Sequence, residues 1–197
     1  KEKEPDIYFP HQLDFRGRAY PIPMFLNPQG IEYSRALLEF SKGERMSNNA
    51  DSARWLAIHG ANQYGEDKCS LDDRVKWVED NQDYIIEAAR NPLGNDFWKS
   101  ADKPFCFLAF CFEWESYCRL GANHETHIPV SVDGSCNGLQ VFSLLLRDEI
   151  GGRATNLIPS NTPQDIYGIV ADKTVAELEN EVDEPFREKC KWSKKQM

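Results

Sequence analysis

No apolar run in this 197-residue chain approaches the roughly 20 residues that a membrane span needs. The opening Lys1-Glu2-Lys3-Glu4-Pro5 carries no apolar core of a secretory signal. Cysteine is present at positions 69, 106, 111, 118, 136 and 190, but no two form a CxxC pair. Without a secretory signal these read as reduced thiols of a cytosolic protein. Cys106 and Cys111, in a very apolar segment, read as packing residues. Positive charge is scarce: 23 Lys and Arg against 32 Asp and Glu leave a net charge of -9. Overall charge therefore does not advertise nucleic-acid binding, which would have to rest on local Arg and Lys clusters. There is no initiator Met, no internal repeat and no His-Asp dipeptide. Both ends look cut, so the expectation is a part of a longer protein.

What is there is enough for one large domain or two small ones. Aromatic residues at 12% argue for a substantial core, with the Trp55, Trp77, Trp98 and Trp114 neighbourhoods as candidates. Residues 7–30 are punctuated by proline and glycine, with Ile7-Tyr8-Phe9 and Ala19-Tyr20-Pro21-Ile22 as strand candidates. Helices are expected over 32–41 and from Asp51 to Gln63. A third should open at the Ser70-Leu71-Asp72-Asp73 capping pattern and run to Arg90. Pro104 opens a helix that is apolar nearly all round and so reads as buried. A further helix is expected from Gly138 to Arg147, broken by Gly151-Gly152, and another from the Thr162-Pro163 start. Glu177 to Lys195 is charge-dense and reads as a mobile surface segment or a truncated element.

The stretch that could carry chemistry is Pro129 to Gln140. Val130 and Val132 alternate with Ser131 and Asp133, as in a half-buried strand that ends in a glycine-bounded turn. An aspartate there suits a bound cation; the alternative is a turn aspartate that caps the next helix. Gly134-Ser135-Cys136-Asn137-Gly138 also fits a cysteine nucleophile elbow, which would imply an acyl hydrolase. The four histidines, His11, His59, His124 and His127, all precede Cys136, where an elbow enzyme needs one after it. His124-Glu125-Thr126-His127 has a metal-like spacing but lacks further ligands, and reads as a solvated pair. Nucleotidyl transfer is the third option. It needs two divalent cations about 3.5–4 Å apart, held by carboxylates, with Arg and Lys for phosphates. Asp133, the carbonyl of Gly134, Arg16, Arg18 and Lys68 are candidates; a surface Arg pair bridged to Asp14 is the plain alternative.

Several motifs then occur in one order: Tyr8-Phe9-Pro10, Asp14-Phe15-Arg16-Gly17-Arg18-Ala19-Tyr20, Asn27-Pro28-Gln29-Gly30 and Ile58-His59-Gly60-Ala61-Asn62. They continue through Pro104 to Cys111, Val132 to Gln140, Arg147 to Arg153 and Gln164 to Val170. The chain closely resembles the bacteriophage-type single-subunit DNA-dependent RNA polymerases, a family that includes mitochondrial enzymes. The resemblance covers most of residues 7–175, and Arg147 to Pro159 looks closer to phage members.

The resemblance implies an α+β, predominantly helical fold: part of a right-hand polymerase palm with a helical insertion and the start of the fingers. Residues 1–45 and 124–149 would be palm, 46–123 the insertion, and 150–197 early fingers. Asp133 would be the catalytic, metal-binding aspartate, with Gly134 lending its carbonyl to Mg2+. Asp14, Arg16, Gly17, Arg18 and Tyr20 would contact template and RNA–DNA hybrid. Lys68 would meet nucleotide phosphates, and Tyr167 would lie near the templating base. Gly138 stands where related DNA polymerases carry a glutamate that closes off the ribose 2'-hydroxyl, which implies a pocket that admits ribose. The implied partners are DNA template and promoter, nascent RNA and ribonucleoside triphosphates, in the cytoplasm of a bacterial host. The family's second catalytic aspartate has no counterpart here. The expectation is that these residues alone do not polymerise and that missing regions are supplied in cis or by a partner chain. A non-catalytic nucleic-acid-binding remnant remains the alternative.

Overall fold

A computed structural model of the chain describes residues 6–46, 50–131 and 134–181. It divides into two compact units, residues 1–131 and 132–197. The described part is mainly helical, with two small antiparallel two-stranded sheets, in keeping with the α+β class.

The first unit opens with a hairpin. Strands β1 (His11–Leu13) and β2 (Ala19–Pro21) pair antiparallel, with Gln12 opposite Tyr20. Ile7-Tyr8-Phe9 is not a strand: the hairpin register places Pro10 against Ile22 at the end of β2. Helix α1 (Glu32–Ala36) is half the expected length. The chain then turns to let Phe40 N–H donate to the His127 carbonyl, 2.8 Å. That contact extends the pairing of β3 (Glu44–Arg45) with β4 (Glu125–Thr126).

The body of this unit is helical: α2 (Ala50–Tyr64), α3 (Leu71–Asp80), α4 (Gln82–Arg90) and α5 (Pro104–Leu120). The Ser70 hydroxyl caps α3 by accepting from Asp73 N–H, 3.1 Å. The helix expected to run unbroken to Arg90 stops at Asn81. There the side-chain amide donates to the Trp77 carbonyl, 2.8 Å, and competes with the helix's own ladder. At the start of α5, Pro104 has no N–H to leave unpaired, and the Glu32 carboxylate accepts from Phe105 N–H and Cys106 N–H.

The core lies between α2, α3, α4 and α5. Leu56, Val78, Ile85, Phe107, Phe110, Cys111 and Trp114 are buried there. The Tyr64 ring is 4.6 Å from Trp77 and 5.0 Å from Phe107, centroid to centroid, and so extends the apolar contact between helices. A Cβ at Gly60 would overlap the Phe110 ring, so glycine permits this crossing of α2 and α5. Helix α5 is not buried all round: Phe105 and Phe112 face outward. Of the tryptophans, Trp98 and Trp114 are buried, Trp77 is half-buried and Trp55 is exposed.

The second unit contains α6 (Asn137–Leu146), α7 (Glu149–Ala154) and α8 (Ile166–Glu181). Gly151-Gly152 lies inside α7 rather than ending a helix. A Cβ at Gly151 would stand 2.5 Å from the Ser143 hydroxyl, so glycine allows α7 to pack closely on α6. Thr162 is not the cap of α8. The Asp165 carboxylate caps it, accepting from Tyr167 and Gly168 N–H at 3.1 and 3.2 Å. Glu177 to Glu181 continues α8, and the rest of the charge-dense tail, with Cys190, lies outside the described residues.

Candidate functional site

In the first unit, Asp14 to Arg18 form the turn between β1 and β2. The Asp14 carboxylate accepts from Arg16 N–H at 2.8 Å and Arg18 N–H at 3.0 Å, and pairs with the Arg16 guanidinium at 3.2 Å. The backbone hydrogen bond from Arg18 leads the effects that hold the Asp14 carboxyl below the usual carboxylate range. Asp14 is therefore the organiser of the turn. Gly17 takes φ +76° at its tip. The Arg16 guanidinium lies over the Phe15 ring. Arg18 uses only its backbone in the turn; among the described residues its guanidinium has no ion-pair partner. Tyr20 follows on β2, partly exposed. The bridge to Asp14 is thus real for Arg16 and not for Arg18.

Lys68 lies in the loop between α2 and α3. A buried arginine builds that loop. Arg74 donates to Asn62 Oδ1 at 2.8 Å, to the Asp67 carbonyl at 2.8 Å and to the Cys69 carbonyl at 3.0 Å. Four of its five guanidinium N–H groups donate, three to carbonyls of the loop and one to Asn62 on α2. The Lys68 side chain is 84% exposed, and its ammonium pairs with Asp67 at 3.9 Å. A braced loop that presents an exposed cation suits a phosphate contact. Arg74 was not singled out from the sequence, where it looks like any helix-surface arginine.

His124 is buried rather than solvated, and its Nε2 lies 2.8 Å from the Glu113 carboxylate. The His127 ring bonds to the Phe40 carbonyl at 2.7 Å. Both act in the sheet region, and among the described residues no three His, Cys, Asp or Glu side chains gather to hold a metal. His59 is buried on α2 beside a cavity of about 700 Å³ lined also by Arg35, Gln63 and Cys106. Desolvation, with Lys103 adding to it, pulls its pKa down to about 4. Burial pushes the Cys111 thiol far up, as expected for a packing residue.

In the second unit the motif runs from Gly134. Val132 and the Asp133 carboxylate lie outside the described residues, and Pro129 to Ser131 are not in a strand. Cys136 has a left-handed backbone, φ +57°, just before α6. Tyr167 is on the first turn of α8, and the Cys136 thiol leads the causes that raise its pKa. Gly134, Gly138 and Tyr167 therefore belong to one neighbourhood, while the Asp14 hairpin and Lys68 belong to the first unit.

Gly138 is exposed in the first turn of α6, and its φ is not left-handed. Beyond the helix's own backbone, no described atom lies within 4 Å of where its Cβ would stand. Neither turn geometry nor packing calls for glycine here, and glycine weakens a helix by about 1 kcal/mol relative to alanine.

Asn156 was not foreseen. It occupies the position just past the end of α7 with φ +60°. Asn156 N–H donates to the Arg153 carbonyl at 3.1 Å, and Leu157 N–H to Gly152 at 2.9 Å, which is the Schellman ending. Asparagine after a glycine-containing helix was the available signal.

Comparison with known proteins agrees with these motifs. The sequence profile of the DNA-dependent RNA polymerase family matches residues 47–196, and the chain belongs to that family. T7 RNA polymerase of Escherichia phage T7 is 48% identical over 167 residues, covering 85% of this chain and 19% of that protein. The DNA-directed RNA polymerase of Enterobacteria phage K11 is 49% identical over 167 residues, covering 85% and 18%. The mitochondrial DNA-directed RNA polymerase of Neurospora crassa is 39% identical over 183 residues, covering 91% and 13%. Within the family the chain is therefore of the phage-type, single-subunit kind. It spans about a fifth of the length of the phage relatives it matches. Family membership sets aside the acyl-hydrolase option for Cys136.

Proposed function

We propose that this chain is the part of a DNA-templated RNA polymerase that carries the first catalytic carboxylate and part of the nucleotide and template contacts. The observation that carries the proposal is Gly138, an exposed helical glycine with no described atom beyond its own helix within 4 Å of where its Cβ would stand. Five positions after Asp133, a residue without a side chain would leave room for the sugar of an incoming ribonucleotide, 2'-hydroxyl included. On this reading residues 1–45 and 124–149 are palm, 46–123 a helical insertion, and 150–197 the beginning of the fingers.

On this reading the site residues take the following roles. Asp133, with the Gly134 carbonyl, would be the ligand for Mg2+. A bound Mg2+ pair would stabilise charge on the attacking oxygen and on the leaving pyrophosphate. Lys68 would neutralise nucleotide phosphates from its braced loop. Arg16, Arg18 and Tyr20, presented by the Asp14–Gly17 turn, would contact template and hybrid. Tyr167 would abut the templating base. The substrates would be ribonucleoside triphosphates and a promoter-bearing DNA. The missing second carboxylate would come from the polymerase regions beyond this stretch. The similarity to phage enzymes carries with it a place of action in the cytoplasm of a bacterial host.

The test is Asp133→Asn in the intact polymerase. RNA synthesis should fall below detection while promoter binding stays near that of the unmutated enzyme. Synthesis near the unmutated rate sinks the proposal. Gly138→Glu should depress ribonucleotide incorporation relative to deoxyribonucleotide; unchanged discrimination in single-nucleotide addition refutes the steric account.

A further inference from the structure

Asn156 spends its whole side chain on two segments of the second unit. Its Nδ2 group donates to Ser135 Oγ at 3.0 Å and to the Gln164 carbonyl at 2.9 Å. Its Oδ1 accepts from Gln164 N–H at 2.7 Å. Ser135 is two residues after Asp133, and Gln164 is three residues before Tyr167. We infer that Asn156 is a positioning residue of the polymerase centre, bracing the Gly134-Ser135-Cys136 turn against the segment that leads into α8. The inference rests on the polymerase reading above.

The chemistry admits few substitutes. The two protons and the oxygen are all used, so Asp, with no protons to donate, loses both donated bonds. Gln is a methylene longer and would overshoot. The left-handed φ excludes most other residues, and asparagine tolerates it. The backbone pose is itself fixed by the Schellman ending of α7. A second bond supports the same corner: Gln140 Nε2, from α6, donates to the Thr155 carbonyl at 2.7 Å. The Thr155 hydroxyl is in turn held by the Gly151 carbonyl at 2.8 Å.

The braced turn needs such support. Cys136 holds a left-handed backbone that a non-glycine residue adopts only when its surroundings impose it. Asn156 grips the turn at Ser135, two residues after Asp133. A shift of about 1 Å in a reacting group can slow catalysis about a hundredfold. A loosened turn therefore shows as a slower chemical step rather than as lost affinity for DNA.

The experiment compares Asn156→Gly, Asn156→Asp and Ser135→Ala in the intact polymerase, with rates normalised to promoter-binding-competent enzyme. Asn156→Gly keeps the φ that the turn requires and removes only the brace. It should lower kcat for templated nucleotide addition about tenfold to hundredfold, with promoter Kd unchanged. Asn156→Asp should be slow as well. Ser135→Ala, which removes one bond and leaves the α7 ending untouched, should be slowed less. Combined with Asn156→Gly it should add no further loss, since the one bond that Ser135→Ala removes is already gone in Asn156→Gly. An Asn156→Gly enzyme with unchanged kcat overturns the inference. So does a fully folded Ser135→Ala enzyme of unchanged rate, or a double variant in which the two losses multiply. An unmutated polymerase that makes no RNA refutes the polymerase reading instead, and is seen before any variant is compared.

Discussion

The two units are held together on different terms. Residues before 132 bury a row of large side chains from four helices, Phe107 and Phe110 at its centre. Among the described residues of the second unit, those fully buried are Ser143, Gly152, Ala154 and Thr155. Its large apolar groups, Phe142, Leu144, Leu145 and Leu146, face outward. Order there comes instead from Asp148 and Asp165 caps, the Asn156 brace and the Gln140 bond. Apolar burial is nondirectional and supports a stable scaffold. Hydrogen bonds are directional and fix position. The contrast matches a division between a scaffold that presents the Asp14 turn and Lys68, and a segment whose geometry is set by polar contacts.

The contrast can be broken in order of effect. Phe107→Ala, at 0% exposure, should destabilise the first unit by about 3–5 kcal/mol; chemical denaturation followed by tryptophan fluorescence measures it. A loss under about 1 kcal/mol would mean this core is not the scaffold. Next comes acid. His59 is depressed from 6.5 to about 4 in the folded chain, so the unfolded chain takes up its proton first as pH falls. Stability from this group is complete above pH 6.5 and drains away between 6.5 and about 4, on the order of 3 kcal/mol. His59→Leu should flatten that part of the stability profile; equal slopes in both proteins would refute the assignment. Ser70→Ala, which removes the α3 cap, should lower stability by about 1 kcal/mol, read from the same denaturation midpoints. Leu145→Ser, 72% exposed, should change stability by less than about 0.5 kcal/mol. A larger loss would show that the second unit has an apolar core after all.

Helix starts with side-chain caps or an N1 proline were legible, as at Ser70 and Pro104, because the determining residue is adjacent in sequence. Helix interruptions were not. Asn81 breaks a pattern that remains apolar on one face, through a bond from its own side chain. The glycine pair at 151–152 reads as a break, yet the approach of Ser143 makes glycine the residue that lets α7 form. Thr162-Pro163 reads as a helix start, but Asn156 takes both backbone groups of Gln164, so α8 begins only after Asp165. For the candidate site, the motifs named Gly134, Gly138 and Tyr167 from their order along the chain. Arg74 escaped because its bonds go to loop carbonyls and to Asn62, which no side-chain pattern marks; Asn156 was signalled as a helix ending but not as a brace, since its partners lie 8 and 21 residues away.

The open space at Gly138 bears on how this gene would age. With an ordinary helical backbone, Gly138→Ala would stabilise α6 by about 0.4–1 kcal/mol. If the chain were a remnant freed from making RNA, mutation would meet no opposition at that codon and some gain in stability. Sequencing many isolates of the gene thus gives a record kept by selection: glycine retained at 138 amid synonymous change marks a working pocket, and alanine or serine there marks one that has closed without consequence.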